Sequence, residues 1–178
     1  VVRMSKRTGK AIQLADLLDE IPIDAARFFF NTREPNTHLI FDLDLAIQEN
    51  SENPVYYVQY AHARICSILR QLEKENLSAD GIENADLSLL ADPAEIELIR
   101  TLSYMPGEII AAGKAYDPSK ITKYSITLAT QFHRFYNACR VKGEDEALSK
   151  ARLALCVATK HAIANCLKIM NVTIPEQM

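Results

Sequence analysis

The sequence predicts an all-α protein, an antiparallel helical bundle with short connections. Three observations carry this. An Asn–Pro or Asp–Pro pair stands at 53–54, 92–93 and 117–118, each placing a capping side chain before a proline suited to the first helical turn. Apolar residues then recur at helical spacing for four or more turns, as in NPVYYVQYAHARICSILRQL from Asn53 to Leu72. Glycine is scarce, 5 in 178 residues, and no alternating stretch is long enough to build a sheet, although residues 10–13 could form a short edge strand.

In chain order, residues 3–10 (RMSKRTGK) read as a mobile polar loop. Residues 14–20 (LADLLDE) form a short amphipathic helix. Pro22 and Asp24 then open a buried helix holding Ala25, Ala26, Phe28, Phe29 and Phe30, with Arg27 and Arg33 reaching the surface. Asp42 or Asp44 caps a short helix to about Asn50, and Ser51–Glu52 breaks it. In the helix after Asn53, Val58, Ala61, Ile65, Ile68, Leu69 and Leu72 share the inner face, and His62 falls on the dry side as a buried histidine. SADGIENAD at 78–86 is a loop. The helix after Pro93 meets Pro106, which either kinks it or starts a second segment to about Ala115. After Pro118 the inner positions are Ile121, Ser125, Leu128, Phe132 and Phe135, and Lys120, Lys123, Thr127, Thr130 and Arg134 face out. KGED at 142–145 is a turn, a last helix runs from about Ala147 to Met170, and NVTIPEQM is a tail.

Composition narrows the class. A hydrophobic fraction of 48% and a charged fraction of 24% fit a soluble globular protein. No apolar run could span a bilayer, and the opening at Val1 reads as a fragment of something longer. Cys66, Cys139, Cys156 and Cys166 form no C-x-x-C pair, and the four histidines do not join them at ligand spacing, so buried free thiols in a reducing cytoplasm are expected and no metal site is. The net charge of −3 is uneven: residues 34–100 hold 13 acidic and 4 basic side chains, and residues 101–178 hold 6 acidic and 10 basic. A polyanion would meet the ends of the sequence before its middle.

Two stretches carry candidate chemistry. Tyr56, Tyr60 and Arg64 follow at i, i+4 steps, a ladder of two phenols and a guanidinium suited to stacking on an RNA base and bonding its edges, or else to covering a neighbouring helix. The 3–10 loop lacks the Walker pattern, but its lysines could meet phosphate oxygens as charge develops at phosphorus.

RMSKRTGK resembles the KMSKS signature loop of class I aminoacyl-tRNA synthetases, in the extended form of arginyl-tRNA synthetases. Met4, Ser5 and Lys6 match its M-S-K, Arg3 stands for the first lysine and Arg7 for the usual last serine. DAARFFFNTR, HLIFDLDLA and NPVYYVQYAHARI resemble the same family, in the same order, the last being the first helix of a DALR-type anticodon-binding bundle. The resemblance implies the C-terminal portion of an arginyl-tRNA synthetase of bacterial type, cytoplasmic, with residues 1–33 ending the catalytic domain and residues 34–178 binding the anticodon. The longer enzyme would use ATP, with magnesium, to activate arginine and esterify it to its tRNA, with no DNA or membrane partner. Lys6 would be catalytic, and Met4, Ser5, Lys6 and Lys10 would bind the nucleotide. Tyr60, Arg64, Tyr136, Asn137 and Met178 would contact the tRNA. Every arginine anticodon of the standard code carries C at its middle, so its reader needs an acceptor for the cytosine amine and an aromatic for stacking. The rival expectations are a methionine- or cysteine-type class I synthetase, or a stand-alone helical RNA-binding module without catalysis.

Overall fold

The structure, a computed structural model, describes residues 13–178. Met4, Ser5, Lys6 and Lys10, and all but Gln13 of the expected edge strand, lie outside the described residues. Eight α-helices make up the described part: α1 (Leu14–Glu20), α2 (Ile23–Phe30), α3 (Leu43–Ala46), α4 (Pro54–Lys74), α5 (Pro93–Ser103), α6 (Met105–Ala115), α7 (Ser119–Ala138) and α8 (Glu146–Ile169). Two short 3-10 turns, Ile82–Asn84 and Leu87–Leu89, lie in the loop between α4 and α5.

Local chemistry starts these helices. Asn53 Oδ1 accepts from Val55 N at 3.2 Å, while its Nδ2 donates to the carbonyls of Ala46 and Gln48. One side chain therefore caps α4 and takes the Ala46 carbonyl that ends α3 and the Gln48 carbonyl beyond it, and α3 stops at Ala46 instead of continuing to Asn50. Asp92 caps α5, and Glu95 returns a carboxylate oxygen to the Asp92 N–H at 2.9 Å. Pro106 starts a separate helix, since α5 ends at Ser103 and α6 opens at Met105. Tyr116 ends α6 in a left-handed conformation, φ 50°, and Asp117 then caps α7 through the Ser119 N–H at 3.0 Å. The Ser119 side chain first, and then its N–H, hold the Asp117 carboxyl below its usual range.

The three long helices α4, α7 and α8 pack on one another, α5 and α6 lie along α7, and α2 lies on α4. The seven residues between α7 and α8 make those two antiparallel neighbours. The expected inner residues of α7 are all buried, and Phe132, Phe135, Leu128, Ile65, Leu153 and Phe28 centre one continuous core. Tyr124 OH donates to the Thr101 carbonyl at 3.1 Å and Thr122 Oγ1 to the Asn31 carbonyl at 2.7 Å, tying α5 and α2 to α7. Burial pushes the Tyr124 phenol up.

Two expectations need correction. Phe30 is 48% exposed, because three consecutive residues on a helix spread over about 200° and cannot all face one core; its ring rests on Phe41, 5.3 Å between centroids. The second is the dry arc of α4, which is wider than one face. Gln59 and Ala63 are also buried, since the segment after α8 runs back over this side of the helix. His62 is buried as expected, its Nδ1 donating to the Pro175 carbonyl at 2.8 Å, and burial lowers its pKa. All four cysteines are free and buried, and burial pushes Cys156 and Cys166 up to about 12. Among the described residues no helix is long and apolar enough to cross a membrane, and no cluster of His, Cys, Asp and Glu could hold a metal ion.

Candidate RNA-binding site

One flank of α4 carries the expected ladder. Tyr56 and Tyr60 lie nearly parallel, 6.3 Å between ring centroids at 7°. Arg64 follows, with its guanidinium carbon 5.9 Å from the Tyr60 centroid and 4.5 Å from that of Tyr136 on α7. The cation thus sits between two phenol rings from two helices. Tyr136 is in turn backed by Phe132, 6.1 Å away at 28°. Because Phe132 is fully buried, the outer ring is seated on the core. Among the described residues no carboxylate lies within ion-pair distance of Arg64. Its charge and its donors remain available to a phosphate or a base edge.

Below the ladder, the His133 ring touches Tyr57 at 5.1 Å and Tyr60 at 6.1 Å. Burial lowers its pKa, with the Arg64 charge adding to the effect, which favours the neutral ring. Its Nε2 is buried without a hydrogen-bond partner among the described residues.

The end of the chain completes the site. Asn171 turns the backbone off α8 at φ 54°, and the segment that follows lies along α4. Met178 thereby lines a cleft of about 370 Å³ together with Tyr60, Arg64, Ser67 and Arg70. Met178 is 51% exposed and Tyr60 37%, so both faces are open to a ligand. A neighbouring cleft of about 440 Å³ is lined by Tyr136 and Asn137 with Gln71, Glu75, Arg140 and Lys142. There Lys142 pairs with Glu75 at 3.0 Å, and this bond holds the Glu75 carboxyl below its usual range.

Four of the expected contacts therefore converge: Tyr60, Arg64 and Met178 share one cleft, and Tyr136 closes over Arg64. Asn137, exposed, opens on the adjoining cleft instead. Arg70, Ser67 and His133 escaped the sequence reading. Arg70 lies six residues beyond Arg64, off its i, i+4 register, and His133 is a polar residue among inner aromatics. A phenol, a guanidinium and a thioether around an open cleft, with a second phenol over the guanidinium, can hold a flat π-face and bond its edge.

The DALR anticodon binding domain family matches residues 58–178. The chain belongs to this family. It is similar along 100% of its length to an arginine–tRNA ligase of Caldanaerobacter subterraneus subsp. tengcongensis, with 56% identity over 178 residues. It spans about a third of that relative, 32% of its length. Among solved structures, an arginyl-tRNA synthetase from Campylobacter jejuni superposes with a TM-score of 0.85 at 31% identity, over 98% of this chain and 37% of that one. The Thermus thermophilus arginyl-tRNA synthetase superposes with a TM-score of 0.75 at 25% identity, over 97% of this chain and 29% of that one. The expected all-α anticodon-binding bundle is thus borne out by both family and fold.

Proposed function

We propose that this member of the DALR family reads the anticodon of arginine tRNA for a longer cytoplasmic enzyme that joins arginine to that tRNA with ATP as co-substrate and magnesium accompanying the nucleotide. The convergence of Tyr60, Arg64, Tyr136 and Met178 from three separate segments supports this reading. Similarity to relatives named for arginine favours that specificity over the methionine and cysteine types. In this reading, residues 1–33 close the catalytic domain and carry Met4, Ser5, Lys6 and Lys10 toward the nucleotide. Residues 34–178 bind the anticodon.

Tyr60 or Tyr136 stacks on an unpaired base, Arg64 supplies donors, and Asn137 offers both donor and acceptor from the adjoining cleft. Phosphate attraction is a small part of the affinity, because the net charge is −3 and salt screens what positive field there is.

The chain is expected to bind arginine tRNA weakly and to discriminate against a changed middle anticodon base. Tyr136→Ala should cost about 1–3 kcal/mol of cognate binding and narrow that discrimination. Lys114→Ala, on exposed α6, should act much less and on both RNAs alike. Titrations against tRNAs differing only at the middle base test this. Equal weakening of both RNAs by Tyr136→Ala would make Tyr136 packing, and equal binding of both by the unaltered chain would end the anticodon-reading proposal.

A further inference from the structure

The last eight residues form no helix or strand; α8 carbonyls take the N–H groups of Asn171 and Val172, and side chains of α2 and α4 hold several of the backbone groups that follow. Arg27 donates to the Asn171 carbonyl at 2.8 Å. Gln59 Nε2 donates to the Thr173 carbonyl at 3.1 Å, His62 to that of Pro175 at 2.8 Å, and Arg70 to that of Glu176 at 3.2 Å. On α4 these anchors form a second row, Gln59, His62 and Arg70, beside the ladder of Tyr56, Tyr60 and Arg64. The tail runs along that row in the direction of the helix and ends at the cleft.

Asp24 is where the rows meet α2. Its Oδ2 accepts from Gln59 Nε2 at 3.0 Å, from Thr173 N at 3.2 Å and from the Thr173 hydroxyl. Its Oδ1 is buried and has no partner among the described residues. All of the carboxylate's bonding is thus directed at the start of the tail and at the α4 residue that holds it. Met178, half-exposed, has no core burial to fix it, so its place is inherited from the tail's register. A slip of one residue along an extended segment moves the end by about 3.3 Å. That displacement is enough to break side-chain contacts that reach only about 4.5 Å.

We infer that Asp24 is a positioning residue for anticodon discrimination: through Thr173 and Gln59 it sets the register of the tail and so the place of Met178 in the cleft. It touches no RNA itself. The inference rests on the anticodon-reading function proposed above. It also makes α2 the element through which a shift in the preceding segment would reach the reading cleft, and by reciprocity an occupied cleft would bias α2.

The test is a double-mutant cycle on the 178-residue chain, titrated with arginine tRNA and with a copy altered at the middle anticodon base. Asp24→Ala and Met178→Ala should each narrow the cognate-to-altered affinity ratio by about fivefold, and the double variant no further than either alone, the strong coupling expected of groups acting as one unit. Thr173→Val, which removes one hydroxyl and leaves α2 intact, should narrow the ratio in the same direction and guards against a folding defect in Asp24→Ala. Amide exchange at residues 173–177 should quicken in Asp24→Ala while that of Ala61 to Ile68 does not. A ratio unchanged in both Asp24→Ala and Thr173→Val, or losses in the double variant that simply multiply, would overturn the inference while the unaltered chain still discriminates. An unaltered chain that binds both RNAs alike would instead overturn the anticodon reading, and this inference with it.

Discussion

Arg152→Ala is expected to destabilise the fold by about 3–5 kcal/mol, the cost of removing one partner from a buried ion pair. Glu95 is 1% exposed, and Arg152 Nε lies 2.6 Å from its Oε1. The other carboxylate oxygen caps α5 at the Asp92 N–H, so the carboxylate cannot turn away to find water. Arg152 also donates to the Arg140 carbonyl at 2.8 Å, which fastens the α7–α8 connection just beyond Tyr136 and Asn137. Alanine would leave a buried anion with half its partners and a loosened turn beside the site. For a protein of this size the loss corresponds to roughly 6–20 °C in the unfolding midpoint. The Arg100–Glu97 pair, with both side chains well exposed, is the contrast: Arg100→Ala should cost under about 1 kcal/mol. Thermal unfolding of the two variants separates the cases. Comparable midpoints would mean that water or a shifted side chain already compensates Glu95.

Local chemistry explains what could be read from residues alone. The Asn53–Pro54 and Asp92–Pro93 starts were legible because a cap acts within three residues of itself. The inner faces of α4 and α7 were legible because a long helix repeats its apolar positions several times. Phe30 was misread where three phenylalanines in a row leave the period undefined, and α3 ran long because its stop signal is a side chain seven residues away, Asn53 on Ala46. The Tyr60–Arg64 ladder is an i, i+4 fact and was visible. That Tyr136 closes the other side of Arg64 depends on how α4 and α7 cross, which no single helix encodes. The tail was least legible of all: Asp24 and Thr173 stand 149 residues apart, and nothing in NVTIPEQM announces that four of its carbonyls are held by side chains of α2 and α4. Buried Gln59, a polar residue on a dry arc, was the one available hint.

Lys6→Ala, made in the longer enzyme proposed above, is expected to slow adenylate formation by about 100- to 1,000-fold. The argument starts from RMSKRTGK, in which Lys6 stands at the retained lysine of the M-S-K match. Attack of a carboxylate on the α-phosphate of ATP drives negative charge onto the leaving pyrophosphate. A lysine that meets that charge as it grows lowers the barrier without tightening the ground state. The effect should therefore fall on the rate of arginine-dependent ATP–pyrophosphate exchange at saturating substrate, with tRNA affinity nearly unchanged. Lys6→Arg keeps the charge but not the compact ammonium and should recover only part of the rate. Lys10→Ala, further along the loop, should cost less. The 178-residue chain by itself should show no exchange above background, since it spans only 32% of the length of the ligase it resembles. Pre-steady-state adenylate formation and tRNA binding measured side by side decide the assignment. Equal losses in both would move Lys6 from the nucleotide to the tRNA, and exchange by the chain alone would place the catalytic groups within these residues.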